Sequence, residues 1–86
     1  MFERLFVITA DCVSKNENVE NMILGCENNA PVWAHTGSKV IKCFKSIAIA
    51  KQYWISNKEH ISANDVYIPG TVKISEITYI TKEKID

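Results

Sequence analysis

Lys42–Lys58, with the sequence KCFKSIAIAKQYWISNK, is the segment with the clearest helical period in the chain. Ser46 suits the N-cap position, because its hydroxyl can accept a hydrogen bond from a backbone N–H of the first turn that has no helical partner. At about 100° per residue, five apolar side chains fall within one arc roughly 160° wide. They are Ile47, Ile49, Ala50, Tyr53 and Trp54. The pattern predicts a helix that lies on a sheet, directs Ile47, Ala50 and Trp54 inward, and makes Trp54 one of the most buried residues.

The segment before this helix has the composition of β-strands. Residues 5–8, with the sequence LFVI, form a continuous apolar run that is typical of a central strand covered on both faces. Residues 11–30 are rich in asparagine, which favours turns because it tolerates left-handed backbone conformations. A strand, a helical turn and a loop all remain possible in this stretch. Of these three, we favour a strand over residues 21–26.

Residues 32–35 and 39–44 flank a Thr-Gly-Ser turn and predict a β-hairpin. After the helix, residues 66–68 read as a short strand, followed by a Pro-Gly turn and a long strand over residues 71–81. The apolar residues of that last strand change face near Ser75, which predicts either a β-bulge there or partial cover on both faces. The expected fold is therefore a single α+β domain of 86 residues. It has an antiparallel sheet of four to five strands in the order β-β-β-α-β, with one helix packed on one face.

The formal net charge of the chain is zero. This value argues against a dedicated DNA-binding protein and against a highly acidic DNA mimic, since both act through a strong net field. The charge is nevertheless unevenly spread, because residues 39–51 carry four lysines and no acid, whereas residues 11–30 carry four acids and one lysine. Such runs are either solvated faces or surfaces that contact a partner. The candidate partner-binding residues are Lys39, Lys42, Lys45, Lys51, Ile55, Glu17 and Glu20.

Ile55 is a candidate for a different reason. It lies outside the apolar arc of the predicted helix, beside polar residues. Either a loop covers this side chain, or it is an exposed apolar contact for a partner.

Three cysteines and two histidines are the side chains that could support metal binding or nucleophilic catalysis: Cys12, Cys26, Cys43, His35 and His60. No two of them have the short spacing that places two metal ligands on one turn, so we expect neither a metal nor another cofactor. Cys43 with His35 or His60 is conceivable as a nucleophile and base, but no local feature marks this thiol as reactive. We therefore expect no enzymatic activity. The odd cysteine number and the missing signal-peptide pattern predict a reducing, cytoplasmic location without disulfides.

One resemblance covers roughly residues 31–81. The order of a strand, Trp33, Phe44, a Ser46-capped helix with Ala50 and a Tyr-Trp pair, and a late Ile-x-x-Ile-Thr-Tyr-Ile strand resembles small accessory proteins of phages and mobile elements. The nine lysines against one arginine are similar to the composition that AT-rich Gram-positive hosts and their phages encode. The resemblance implies a class of proteins that bind and block a host protein, anti-CRISPR and anti-restriction inhibitors among them. It carries no functional residues to transfer.

Two functions follow as expectations. The first is a non-enzymatic cytoplasmic protein that acts by protein–protein contact, such as a phage-encoded, anti-CRISPR-like inhibitor of a host nuclease or nucleoprotein complex. The alternative is a small nucleic-acid-binding module in which the lysines contact phosphates while Trp33 or Tyr53 stacks on a base. We expect no membrane association. A homodimer is compatible with either function.

Overall fold

The structure, a computed structural model, describes residues 2–35, 38–61 and 65–80. It contains β1 (Phe2–Ser14), β2 (Glu17–Glu27), β3 (Ala30–Ala34), α1 (Ile47–Asn57), β4 (Asp65–Tyr67) and β5 (Lys73–Ile80). A 3₁₀ turn at Lys58–His60 follows α1. The antiparallel sheet with one helix confirms the predicted α+β fold and element order. The turn predicted at Gly37 and the charged end of the chain lie outside the described residues.

β1 is the central strand, as its apolar run predicted, and Val7 and Ile8 are almost completely buried. β2 pairs with the second half of β1, from Thr9 to Ser14, and β4 pairs with Cys12–Ser14 of β1. The two neighbours must therefore occupy opposite edges of β1. β5 pairs with residues 2–9, and the carbonyl of Asp11 accepts from the N–H of Ile68 between β4 and β5. β4 and β5 thus lie one after the other along the same edge.

The asparagine-rich stretch forms β2 and both of its turns. Lys15 and Asn16 have positive φ angles, and so do Asn28 and Asn29. Two consecutive residues of this kind form the tight two-residue turns that match the twist of a hairpin. Asn21 also has a positive φ, of 57°, where β2 contains one extra residue, and its N–H donates to Asp11 Oδ1 at 3.1 Å. The predicted strand over residues 21–26 is confirmed, although it is part of a longer one.

Residues 40–44 fill a gap between β1 and β2, which diverge beyond their paired halves. The N–H of Lys42 donates to the carbonyl of Leu24 at 3.2 Å, and the N–H of Cys26 donates to the carbonyl of Val40 at 2.9 Å. At its other end the segment meets β1, where Phe44 and Phe6 exchange two hydrogen bonds of 2.8 Å. The predicted hairpin was therefore wrong in its pairing. β3 pairs with β2, and the segment predicted as its hairpin partner bonds to β2 and β1.

The main core lies between the sheet and α1. Its buried side chains are Ile8, Ala10, Cys12, Met22, Leu24, Trp33, Phe44 and Ala50. Ser46 caps α1 as predicted, accepting from the N–H of Ile49 at 3.2 Å. Ala50 is completely buried, as predicted. Trp54 packs against the core in the predicted direction but is only partly buried, so the expectation that it is one of the most buried residues was wrong. Ile47 is 48 % exposed, so the inward direction predicted for it was wrong. The helix contacts the core through a narrower face than the 160° arc that we predicted.

Trp33 is the aromatic residue at the centre of the core, where it is 5 % exposed. Its ring lies 6.0 Å from that of Trp54 and 6.1 Å from that of Tyr67. The rings of Trp54 and Tyr67 meet edge to face at 5.2 Å. Tilted and edge-to-face contacts of this kind are favourable because the positive ring edge meets the negative face of its neighbour. Trp33 therefore has the central role that the sequence pattern assigned to Trp54.

β5 pairs with β1 in one continuous register from Lys73 to Ile80. The predicted bulge near Ser75 was therefore wrong, and partial cover on both faces is the arrangement found. Ile74 packs against the main core, while Ile77 is half-buried on the opposite face beside its cross-strand partner Leu5. In the described part of the chain no helix is long and apolar enough to cross a membrane.

A substitution at Gly25 tests the close approach of residues 40–44 to β2. A Cβ atom at this position would contact the carbonyl oxygen of Val40 and lie 2.8 Å from its carbonyl carbon. We expect Gly25→Ala to lower the free energy of unfolding by about 1–3 kcal/mol in a urea titration, because backbone atoms must shift. Gly70→Asn is the control, since Gly70 has a φ of 88° and open space around it. An equal loss in both variants would contradict the close approach at Gly25.

The two tryptophans test the arrangement of the core. We expect Trp33→Ala to cost about 3–5 kcal/mol of unfolding free energy, and Trp54→Ala to cost less because that side chain is partly exposed. Trp33→Phe should be the mildest change at this position. It keeps a ring in the cluster and removes a buried Nε1–H that has no hydrogen-bond partner among the described residues. Thermal unfolding of the three variants gives the order, and a larger loss for Trp54→Ala than for Trp33→Ala would contradict it.

Candidate functional site

α1 exposes three large apolar side chains. Ile47 is 48 % exposed, Ile49 is 53 % exposed and Ile55 is 65 % exposed. Single exposed apolar residues are common, but Ile47 and Ile55 line the same flank of this short helix and together form a larger surface that favours contact with another molecule. The exposure of Ile55 agrees with one of the two readings of the sequence, in which no loop covers it.

A groove lies between α1 and β5, and we call it the α1–β5 groove. Its volume is about 480 Å³, within the range of about 300–1,000 Å³ that is typical of ligand sites. It is lined by Ile8, Ile47, Lys51, Trp54, Ile55, Val72, Lys73 and Ile74. Six of these eight residues are apolar, and they come from β1, α1, β5 and the turn before β5. The surface can therefore remove apolar side chains of a bound molecule from water.

The charged residues of this groove are two lysines, which favour a bound molecule that carries negative charge. Lys51 and Lys73 are both exposed, and no acidic residue is among those that line the groove. An apolar surface with two ammonium groups at its margin favours a molecule that combines apolar groups with carboxylates. The cations would then contribute more to the rate and specificity of association than to the lifetime of the complex.

A second depression lies on the other flank of α1, and we call it the lysine depression. It has a volume of about 520 Å³ and is lined by Lys42, Cys43, Phe44, Lys45, Ile49, Gln52, Tyr53, Ser56 and Asn57. The Nζ atom of Lys42 lies 5.2 Å from the centre of the Tyr53 ring and 5.8 Å from that of Phe44. Such cation–π contacts hold the ammonium against the rings. Burial raises the pKa of the Tyr53 phenol above its usual value of 10.0, and the nearby Cys26 thiol raises it further.

The structure separates the residues that the sequence grouped together. Lys42 and Lys45 share the lysine depression, whereas Lys51 lines the α1–β5 groove on the other flank of the helix. Lys39 is exposed but lines neither surface, and the exposed residues Glu17 and Glu20 lie on β2. The four lysines therefore do not form one rim.

The aromatic residues proposed for base stacking also have different positions from those expected. Trp33 is buried in the core, so the prediction that it could stack on a base was wrong. Tyr53 is partly buried, and Lys42 lies over its ring. The lysine would have to move before a base could stack on this face of the ring.

The residues considered for catalysis or metal binding differ in their exposure. Cys12 is completely buried in the core, whereas Cys26 and Cys43 are exposed, as are His35 and His60. Within the described ranges, no group of three or more His, Cys, Asp or Glu side chains could hold a metal ion.

The sequence identified only part of the α1–β5 groove. Lys51 and Ile55 were candidates, but Ile47 was assigned to the core, and Val72, Lys73 and Ile74 were not considered. The sequence of the helix did contain a signal for an exposed apolar surface, because the helix carries more large apolar residues than one narrow contact face can bury. The position of β5 beside the helix could not be read from local sequence, since it depends on a pairing with β1.

The orientation of α1 predicts opposite responses at two of its positions. Ile55→Lys should change the free energy of unfolding by less than about 0.5 kcal/mol, because the side chain is already in water. Ala50→Lys should cost at least about 3 kcal/mol, because it forces an ammonium into a completely buried position. Chemical denaturation of both variants gives the comparison. A large loss in Ile55→Lys would show that this residue packs inside the protein.

A scan against protein-family models, a search of curated proteins and a search of solved structures each return no match. The resemblance to phage accessory proteins therefore stays an expectation. The function has to be judged from the two surfaces that flank α1.

Proposed function

We propose that this protein is a non-enzymatic accessory protein that binds another protein through the α1–β5 groove. The observation that carries the proposal is the apolar groove bordered by the exposed side chains of Ile47 and Ile55. Leaving these side chains in water lowers stability relative to burying them. A chain of this size has a small core, so such exposure is easiest to understand as the surface of a binding site.

The energetics of association support this choice. Complete burial of one isoleucine side chain contributes about 1.5–3 kcal/mol, and two or three such contacts are typical of the few residues that dominate a protein interface. Trp54 lines the same groove and is a residue type often found at such positions. Lys51 and Lys73 favour a partner segment in which carboxylates alternate with apolar side chains.

The biological role that we propose follows from the resemblance to phage accessory proteins. In this role the protein acts in the cytoplasm and inhibits a host defence or nucleic-acid-processing protein, such as a nuclease or a nucleoprotein complex, in the manner of anti-CRISPR proteins. Occupation of a groove is suited to inhibition, because it needs only binding and no chemistry. The partner's own acidic surface would be the part that the protein covers.

Nucleic-acid binding through the lysine depression is the second candidate. The grouping of Lys42 and Lys45 around Tyr53 favours it, because cations beside an aromatic ring are the elements of single-strand recognition. Two observations weigh against it. The net charge is zero, and Lys42 already lies over the ring that would stack on a base.

Two isoleucines on opposite flanks of α1 allow a matched test. A tagged parent protein and its Ile55→Lys and Ile49→Lys variants are incubated with lysate of an AT-rich Gram-positive bacterium, with and without nuclease. Ile55 lines the α1–β5 groove and Ile49 lines the lysine depression, and both are exposed. We expect Ile55→Lys to reduce the captured host protein by at least about tenfold, which corresponds to about 1.4 kcal/mol. Ile49→Lys and nuclease should leave capture unchanged.

The opposite pattern would favour the second candidate. If nuclease removes the captured protein and Ile49→Lys weakens capture while Ile55→Lys does not, the lysine depression is the binding surface. Affinity for single-stranded DNA and RNA would then fall with salt, with a log–log slope of about −0.7 for each phosphate contact.

A further inference from the structure

β5 is an edge strand whose described protection is limited to the charged side chains of Lys73 and Glu76. It is eight residues long, its register with β1 is continuous, and it contains no proline. Among the described residues β1 is the only strand with which it pairs. Protein edges of this length are usually shortened, bulged, covered or interrupted by proline, because their unpaired N–H and C=O groups accept another strand.

The hydrogen bonds of β1 identify the backbone groups that β5 presents outward. Phe6 exchanges both of its backbone hydrogen bonds with Phe44, on the edge of β1 that faces away from β5. Successive residues of a strand direct these groups to opposite edges, so Leu5 and Val7 direct theirs to β5. Their partners are Ile77 and Ser75, which therefore bond to β1. The N–H and C=O groups of Ile74 and Glu76 consequently point to the open edge.

We propose that the occupant of this edge is β5 of a second copy of the chain, added antiparallel about a two-fold axis perpendicular to the sheet. Hydrogen-bonded pairs must then form between outward-facing residues of the two copies. Glu76 opposite its own equivalent would place two carboxylates side by side, which is destabilising. In the register that we assign, Glu76 of one copy is opposite Ile74 of the other.

This register is also favoured by charge. Ile74 lines the α1–β5 groove together with Lys51, so the incoming Glu76 lies beside that ammonium, and the symmetry repeats the contact. Glu76 is 44 % exposed and makes a surface ion pair with Arg4 at 3.3 Å, which leaves its carboxylate accessible. The net charge of zero means that no overall repulsion keeps two copies apart.

The dimer extends the proposed function, on which it does not depend. The two-fold axis places both helices on the same face of one continuous sheet, and the two α1–β5 grooves lie on either side of the joined β5 strands. They form a single cleft, in which each copy contributes Ile47, Trp54 and Ile55. In this cleft the Glu76 carboxylates pair with the two Lys51 side chains, and Lys73 of each chain is left to attract an acidic segment of a partner.

The test is sedimentation velocity of the purified protein from about 1 to about 500 μM, since dimerisation follows mass action. The parent is expected to be dimeric in the upper part of this range. Glu76→Pro should weaken dimerisation by at least about 100-fold, because it removes an outward N–H from each copy and adds a ring at the edge. The same change leaves the hydrogen bonds to β1 intact and is tolerated on an edge. Glu76→Gln, which keeps the N–H, should weaken dimerisation by less than about tenfold.

A second test exchanges the charges of Lys51 and Glu76. It tests the proposed register of the two β5 strands without introducing a proline. Lys51→Glu and Glu76→Lys should each weaken the dimer, and the double variant should recover most of the loss. A parent that is monomeric at about 500 μM, a Glu76→Pro variant that folds and stays dimeric, or a double variant without recovery would overturn the proposal. Because the measurement uses the protein alone, these outcomes leave host-protein capture by the α1–β5 groove unaffected.

Discussion

The insertion of residues 40–44 between β1 and β2 is the interaction on which the rest of the structure depends. It requires a glycine at position 25, because any side chain there would meet the backbone of Val40. The far end of the segment is fixed by the two hydrogen bonds between Phe44 and Phe6. Only Lys45 and Ser46 separate Phe44 from the first residue of α1, so the start and direction of the helix are set by this contact. The helix is thereby held over the central strand.

The position of α1 explains why a groove exists. A helix with its side chains is about 10–12 Å wide and strands lie about 4.8 Å apart, so one helix covers little more than two strands. Ala50, Tyr53 and Trp54 pack over the core, and the part of β5 around Ile74 lies at the border of that cover. A chain of 86 residues has no second helix among the described residues to cover the remaining surface. The exposed isoleucines on α1 follow from the same geometry.

The same position also divides the positive charge. Lys42 and Lys45 lie on one flank of α1 and Lys51 on the other, so two surfaces of different chemistry replace one continuous basic rim. One is apolar with lysines at its margin, and the other combines lysines with partly buried aromatic rings. This separation is what makes Ile55 and Ile49 a matched pair for deciding between protein binding and nucleic-acid binding. On the apolar side, Ile74 of β5 lines the α1–β5 groove, so the edge of the sheet lies beside this surface.

Local chemistry determined much of this fold from the sequence alone. The apolar run at residues 5–8 indicated the central strand, Ser46 indicated the start of the helix, and the asparagines indicated turns whose left-handed conformations the structure contains. These features depend on backbone torsions and on periodicity, which neighbouring residues specify. The same reasoning placed Ile55 outside the apolar arc, because its angle on the helix follows from its position in the chain, but it left open whether a loop covers this side chain.

Only the tertiary structure decided which segments pair and which apolar residues are buried. Residues 39–44 have a strand-like pattern that suits several partners, and the choice of β1 and β2 over β3 depends on the gap between two diverging strands and on the missing side chain of Gly25. Only the tertiary structure showed that Trp33 is central while Trp54 borders a groove. A hydrophobic pattern states that a side chain gains from burial, but the limited area of one helix on a sheet determines which side chains obtain it.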